Sequence, residues 1–268
     1  MGSGIAQVTA SAGYTTILYE LNQAVLQRAQ ESIYDGLKKL VAKGKLSEEK
    51  KEVIFKNILF TSAVQQCTAD LVIEAVVEKA GVKTTLFNQL AEINSSETIF
   101  TSNTSSLSIS QLATAVTNPE RIAGLHFFNP APVMKLVEIV RGAQTAAPVI
   151  ETLLQFTKTL GKTAVVCKDV PGFIVNRVAR PYYIEALRMV EEKKVAFETA
   201  DRLLESAGFK LGPFKLMDLI GNDVNYAVSH SVYEQLGKPQ RLQPSFLQKE
   251  KVDGGALGKK SGRGYYTY

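Results

Sequence analysis

Between residues 15 and 168, short runs rich in β-branched and aromatic residues alternate with stretches of helical spacing, and no other feature narrows the fold so far. The runs are TTILYE (15–20), DLVIEAV (70–76), TIFTS (98–102), RIAGLHF (121–127), KLVEIV (135–140) and TAVVCK (163–168). Helical stretches separate most of them, notably 82–93 and 147–160. Such a repeat predicts a doubly wound parallel α/β sheet, whose ligands collect at the carboxyl ends of the strands. The alternation stops at KDVPGF, and from Pro171 only helical patterning continues. We therefore expect an α/β domain over residues 1–168 and an all-α domain over 169–268, opened by GFIVNRVARPYYIEALRMVEE.

From Leu21 to Phe60 the spacing is helical, with Val25, Ala29 and Ile33 in one run and Val53, Ile54 and Ile58 in another, broken by AKGKLSEE. An antiparallel helix pair is predicted, turning near Gly44, with an N-cap at Ser47 and Glu48 and Glu49 in the next turn. The pair is large for a simple crossover between strands. It carries Lys38, Lys39, Lys43, Lys45, Lys50, Lys51 and Lys56, which read either as a solvated face or as a basic arm for a phosphorylated ligand.

The chain opens MGSGIAQVTASAGY. Gly2 and Gly4, then Ile5, Val8 and Ala12 at helical spacing and a stop at Gly13, read as the end of a glycine-rich loop and its helix. The N-terminus of such a helix receives a pyrophosphate. Small residues that open a helix also serve close packing, and the glycines alone do not separate the two. The following run, TTILYE, ends on the carboxylate of Glu20.

At 268 residues, 45% hydrophobic and 21% charged, the composition is that of a soluble globular protein. No apolar run approaches the roughly 18 residues needed to span a bilayer, and no leader pattern is present, so a cytoplasmic protein without membrane insertion is expected. Cys67 and Cys167 read as buried thiols in a reducing compartment, and two cysteines alone make no zinc site; no metal is expected. The net charge of +5 suits nucleic acid or a phosphorylated small molecule. The lysine-bearing segment lacks the aromatic interleaving or reading motif of a nucleic-acid surface, which favours the second.

The chain has two histidines, and His126 closes the run RIAGLHF, where α/β enzymes place reacting groups. Glu138, inside the apolar run KLVEIV, is a carboxylate that is costly to bury unpaired. If its strand lies beside the one ending at His126, the two form a His–Glu pair suited to general acid/base work. SNTSS (102–106) also follows a strand, so its hydroxyls and amide should reach the same crevice; the plainer reading is a helix N-cap. Asn176, in GFIVNR, is either a buried structural amide or a substrate contact.

SNTSSLSI, AGLHFFNPAPVMKLVEIV, KDVPGFIVNRVARPYYIEA, GPFKLMDLIGNDV and GKKSGRGYYTY occur in this order through essentially the whole chain. Together they resemble the bacterial 3-hydroxyacyl-CoA dehydrogenases. NPAPVMKLVE with VNRVARPYY is most similar to the 3-hydroxybutyryl-CoA and 3-hydroxyadipyl-CoA branch, whose settings are fatty-acid metabolism and phenylacetate degradation.

The resemblance implies a Rossmann-type NAD-binding domain with a helical-hairpin insertion, then an all-α C-terminal domain for substrate binding and homodimer formation. It implies an oxidoreductase moving a hydride between NAD and C3 of an acyl-CoA, short-chain or dicarboxylic. In that scheme His126 is the acid/base and Glu138 orients it, Ser105 and Asn176 bind the 3-oxygen, and Asn103 and Asn129 line the crevice. Gly2 is the third loop glycine, Glu20 holds the adenosine ribose, and Glu78 and Lys83 flank the cofactor. The arm carrying Lys38, Lys39 and Lys43 helps hold coenzyme A. The departure is at the start: family members have a strand and two more glycines there, so about a dozen further residues are expected before Met1, and weak NAD binding without them. A truncated or structural member that keeps the fold without catalysis is the rival; the presence of both His126 and Glu138 speaks against it.

Overall fold

A computed structural model describes residues 1–268 and divides them into two compact units, Met1–Asp169 and Val170–Tyr268. In the first, helix α1 (Gly2–Ser11) leads to strand β1 (Thr16–Tyr19), the helix pair α2 (Gln23–Ala42) and α3 (Glu48–Lys56), and strand β2 (Ile58–Thr61). Then follow β3 (Leu71–Glu74), α4 (Ala80–Ala91), β4 (Ile99–Ser102), α5 (Ile109–Ala113), β5 (Ile122–Phe127), β6 (Leu136–Arg141), α6 (Ala147–Thr159) and β7 (Thr163–Lys168).

All six expected runs form strands. The helical reading through Phe60 is corrected at its end: α3 stops at Lys56, and Ile58–Thr61 pairs in parallel with Thr16–Tyr19. Spacing alone does not separate a short apolar run from a last helical turn, and here pairing with β1 decides. The helix pair otherwise has the expected cap at Ser47, which accepts from the Lys50 amide, and a second at Asn22, which accepts from the Ala24 and Val25 amides. Its inner face, Leu26, Ile33, Leu37 and Ile54, packs with Ala6, Ala10, Leu18 and Ile58.

The strands form a two-stranded sheet, β1–β2, and a five-stranded sheet in the order β3–β4–β5–β6–β7. The larger sheet is parallel as expected except at one pair, where β6 runs antiparallel to β5. Residues 128–135 are too few for the crossover of about a dozen or more residues that parallel neighbours require. Strand faces alternate, so Ala123, Leu125, Phe127, Val137 and Ile139 join Ile5, Val149, Ile150 and Leu153 in the core. Ile122, Gly124, His126, Glu138 and Val140 are thereby left on the opposite face.

The second unit is built of α7 (Val175–Glu191), α8 (Phe197–Ser206), α9 (Pro213–Ile220), α10 (Asn222–Gln235) and α11 (Phe246–Asp253). Tyr183, Leu187, Ala200, Phe214, Met217 and Tyr265 form its main core. Two buried carboxylates organise it. Asp201 accepts from the Phe214 and Lys215 amides and the Tyr266 hydroxyl, and Asp218 from the Tyr265 and Tyr266 amides, Asn222 Nδ2 and the Tyr268 hydroxyl. A Cβ on Gly264 would stand 1.9 Å from Asp218 Oδ1, so GKKSGRGYYTY reaches its carboxylate only with glycine there. The guanidinium of Arg180 ties α7 to α10 through the Asn225 carbonyl and Ser229 hydroxyl, and burial lowers its pKa to about 10.

Candidate active site

Strand β5 carries His126 to its end, and β6 returns antiparallel so that Glu138 pairs with it in register. Residues so opposed point to the same face with Cβ atoms about 5 Å apart, close enough for a direct bond. Nδ1 of His126 lies 2.8 Å from Glu138 Oε2, and the two residues are 6% and 1% exposed. A carboxylate only accepts, so Nδ1 carries the proton in this bond, which fixes the tautomer and orientation of the ring. Phe128 packs 4.5 Å from the imidazole, centroid to centroid. Cys167, opposite Val140 on β7, is no nucleophile: burial first, then the charges of Glu138 and Asp169, push its thiol up to about 12.

The crevice is bordered by the segment after β4. Asn103 Oδ1 accepts from the Phe127 amide at 2.8 Å, fixing the segment beside the end of the histidine strand. Its hydroxyls do not all point one way, as the sequence reading expected. Ser102 donates to Glu74 at 2.6 Å, while Thr104 and Ser106 donate to Glu78 Oε1 at 2.5 and 3.0 Å. Ser105 gives Glu78 its amide at 3.1 Å. Glu78 therefore holds the Ser105 segment as well as lying near it. Burial pushes the Glu78 carboxyl up, but the Thr104 hydroxyl, the Lys83 charge and the Ser106 hydroxyl outweigh it and hold the pKa below the ordinary carboxylate value.

The loop from β5 to β6 forms another border. Asn129, exposed, precedes Pro130 through a cis peptide bond. Lys162 donates to the carbonyls of Ala131 and Met134, each at 2.7 Å, and burial lowers its pKa. A Cβ on Gly4 would lie 3.2 Å from Pro132 and 3.3 Å from Ala131, so the start of α1 packs closely on this loop. That start has no side-chain cap and no acidic residue in its first turn. Gly2, its first residue, lies near Ala75 at the end of β3.

These residues fit a dinucleotide. The uncapped amides at α1 suit a pyrophosphate, and Glu20, at the end of β1, is oriented by accepting from the Asn22 amide at 3.0 Å and suits a ribose diol. Lys83 is 1% exposed and held by Glu74 and Glu78, so it acts from within the wall. On the helix pair Lys38, Lys39 and Lys43 are exposed, whereas Lys51 is buried against Tyr34, Glu48 and Glu52 and secures the pair itself. Asn176 lies in the first turn of α7, in the second unit.

Sequence reasoning passed over Glu74 and Lys162. Glu74 ends the apolar run DLVIEAV and so carried the same signal as Glu138, a carboxylate in a strand that needs a partner. Lys162 follows the turn after α6 and had no such signal; only the fold brings it to the loop.

Residues 1–170 match the family described as "3-hydroxyacyl-CoA dehydrogenase, NAD binding domain", and residues 172–268 match "3-hydroxyacyl-CoA dehydrogenase, C-terminal domain". The chain is 50% identical over its full length to the 3-hydroxyadipyl-CoA dehydrogenase of Escherichia coli strain K12, of which it spans 57%. It is 42% identical to the mitochondrial hydroxyacyl-coenzyme A dehydrogenase of Sus scrofa, covering all of this chain and 88% of that protein. The crystal structure of (S)-3-hydroxybutyryl-CoA dehydrogenase from Ralstonia eutropha superposes with a TM-score of 0.95 at 35% identity, over 100% of this chain and 95% of that one. Matched in both units and along its whole length, this chain belongs to the 3-hydroxyacyl-CoA dehydrogenase family.

Proposed function

We propose that the chain catalyses the reversible, NAD-dependent oxidation of a 3-hydroxyacyl-CoA to the 3-ketoacyl-CoA. The observation that carries this reading is the buried His126–Glu138 pair at 2.8 Å, set at the strand end beside the Ser105 segment and the start of α1. When bound, NAD would supply the acceptor for the hydride that leaves C3. In that direction His126 takes the hydroxyl proton at Nε2, and Glu138 stabilises the imidazolium across the Nδ1 bond. Ser105 and Asn176 position the 3-oxygen, and Asn103 and Asn129 border the acyl group. The protein thus contributes orientation and charge to chemistry that belongs to the cofactor.

The relatives named for 3-hydroxyadipyl-CoA and 3-hydroxybutyryl-CoA support short or dicarboxylic acyl groups as substrates. The exposed lysines of α2 and its cap suit the phosphates of coenzyme A. The reading includes a cytoplasmic homodimer. The second unit exposes Val178 at 71%, Leu203 at 64% and Phe246 at 56%, which supports subunit contact there. No helix is long and apolar enough to cross a membrane.

The test is loss of NADH absorbance with acetoacetyl-CoA and 3-ketoadipyl-CoA as alternative substrates. Turnover of either is expected at saturating NADH, and none with both under that condition would refute the proposed activity. Light scattering at micromolar concentration tests the assembly, and a monomeric mass would remove the dimer from the reading.

A further inference from the structure

The end of β3 carries a buried, densely bonded carboxylate, and the reaction as described leaves it unused. Glu74 is 3% exposed and pairs in register with Ser102 of β4, which itself pairs with Gly124 of β5, so Glu74 faces the same side of the sheet as His126. Both of its carboxylate oxygens lie 2.8 Å from Lys83 Nζ. One also accepts from the Val76 amide at 2.5 Å and the other from the Ser102 hydroxyl at 2.6 Å. Lys83, in the first turn of α4, is 3.2 Å from Glu78 Oε2. Glu78 Oε1 in turn receives the Thr104 hydroxyl, the Ser105 amide and the Ser106 hydroxyl.

We infer that Glu74 is a positioning residue for the Ser105 segment, acting through the ammonium of Lys83 and the carboxylate of Glu78. This rests on the proposed function only in taking Ser105 as a substrate contact. One ammonium stands between two carboxylates, so the trio carries a net charge of −1 that falls on the more exposed Glu78. That surplus is what the three donors of residues 104–106 neutralise. While Glu74 binds Lys83 through both oxygens, Glu78 is tethered by one oxygen and keeps the other for the segment. Neutral glutamine at position 74 releases the ammonium to pair fully with Glu78, which draws that carboxylate off its three donors. Ser105 then loses its fixed place although no residue touching it has changed.

Amide hydrogen exchange reads this directly. In Glu74→Gln the amides of 104–106 should exchange about tenfold faster or more, while those of Leu125 and Phe127 in β5 keep their protection. Glu74→Asp, which keeps the charge, should restore most of the protection. kcat should fall about tenfold or more in Glu74→Gln, since a shift of about 1 Å in a positioning group has effects of this size. Unchanged exchange at 104–106, or equal loosening of β4 and β5, would overturn the inference. If Glu74→Gln does not fold, Glu78→Gln leaves the Glu74–Lys83 pair intact and cuts the last link. It should loosen the same amides, and normal protection there would equally overturn the inference. Absence of turnover in the unmodified protein would refute the activity, while the exchange measurements would still decide the positioning.

Discussion

Glu138 stands directly opposite His126 in the one antiparallel ladder of the five-stranded sheet, with 2.8 Å between Oε2 and Nδ1. Because the β5–β6 turn is short, a reversal of direction rather than a crossover helix brings acid/base and partner together. Their alignment is therefore fixed by the backbone ladder itself, and neither side chain needs a flexible loop to find the other.

The two members of the pair fail differently when replaced. His126→Gln should lower kcat by about 100-fold to 10,000-fold, the range for a positioned acid/base, with little change in NADH affinity by fluorescence titration. Glu138→Gln offers an amide in place of a charge and no longer fixes the tautomer, so a fall in kcat of about 100-fold or more is expected. A near-normal kcat in either variant would remove that residue from the reaction.

Glu20→Ala should weaken NAD binding and narrow the preference for NAD over NADP. A carboxylate at this strand end both accepts ribose hydroxyls and repels a 2′-phosphate. Dissociation constants for both cofactors measure the ratio, and an unchanged ratio would make Glu20 only the orienting partner of Asn22.

Neutralising Lys38, Lys39 and Lys43 together should raise KM for acyl-CoA and spare a substrate analogue lacking coenzyme A. These side chains are exposed, so added salt should mimic the change in the unmodified protein, the Debye length being only about 10 Å at 0.1 M. Equal effects on both substrates would show that the arm does not recognise coenzyme A.

The hold of Glu78 on residues 104–106 should depend on pH in acid only. A carboxyl whose pKa is lower folded than unfolded stabilises the fold fully above its unfolded value and loses this as pH falls through the folded one. For Glu78 that loss lies below the ordinary value of 4.5. The difference in Tm between the unmodified protein and Glu78→Gln should stay level on the neutral side and shrink below pH 4.5. A difference that shrinks between neutrality and pH 5.5 would contradict the assignment; this range lies about one unit above the ordinary value.

Gly264→Ala should destabilise the second unit by about 1–3 kcal/mol, the usual cost of forcing a methyl group into filled space. The new carbon would meet Asp218, and the Tyr265 and Tyr266 amides would be pushed off its carboxylate. Denaturant unfolding of the full chain measures this, and a change within experimental error would show that the tail adjusts.

Most strands were legible because β-branched runs between helical stretches admit few architectures, and β2 was not because Ile58–Thr61 follows α3 almost at once and Ile58 also fits the helical spacing of Val53 and Ile54. The His126–Glu138 pair could be framed as a condition, since a carboxylate in an apolar strand demands a partner; that the two strands adjoin is a fact of topology. The same reasoning applied to Glu74 would have found the pair with Lys83. The two-sided use of Glu78 was not readable, because it depends on a register between β3 and β4 that spacing does not encode. Nor was the split of the hydroxyls in SNTSS, which follows from strand alternation at Ser102 and from loop geometry beyond it.

The buried seat of Asp218 also orders events during synthesis. Domains emerging from the ribosome fold as units, the N-terminal one first. Strands β1 to β7 have emerged once Lys168 has, so the sheet can assemble while the helices after it are still being made. The second has no such head start. Tyr265 belongs to its core, and Asp218 waits for the Tyr265 and Tyr266 amides, so α7 to α11 stay without a complete interior until these two residues leave the exit tunnel. A stalled or clipped nascent chain would therefore hold a folded sheet unit beside helices with exposed apolar faces, a species that chaperones and proteases recognise.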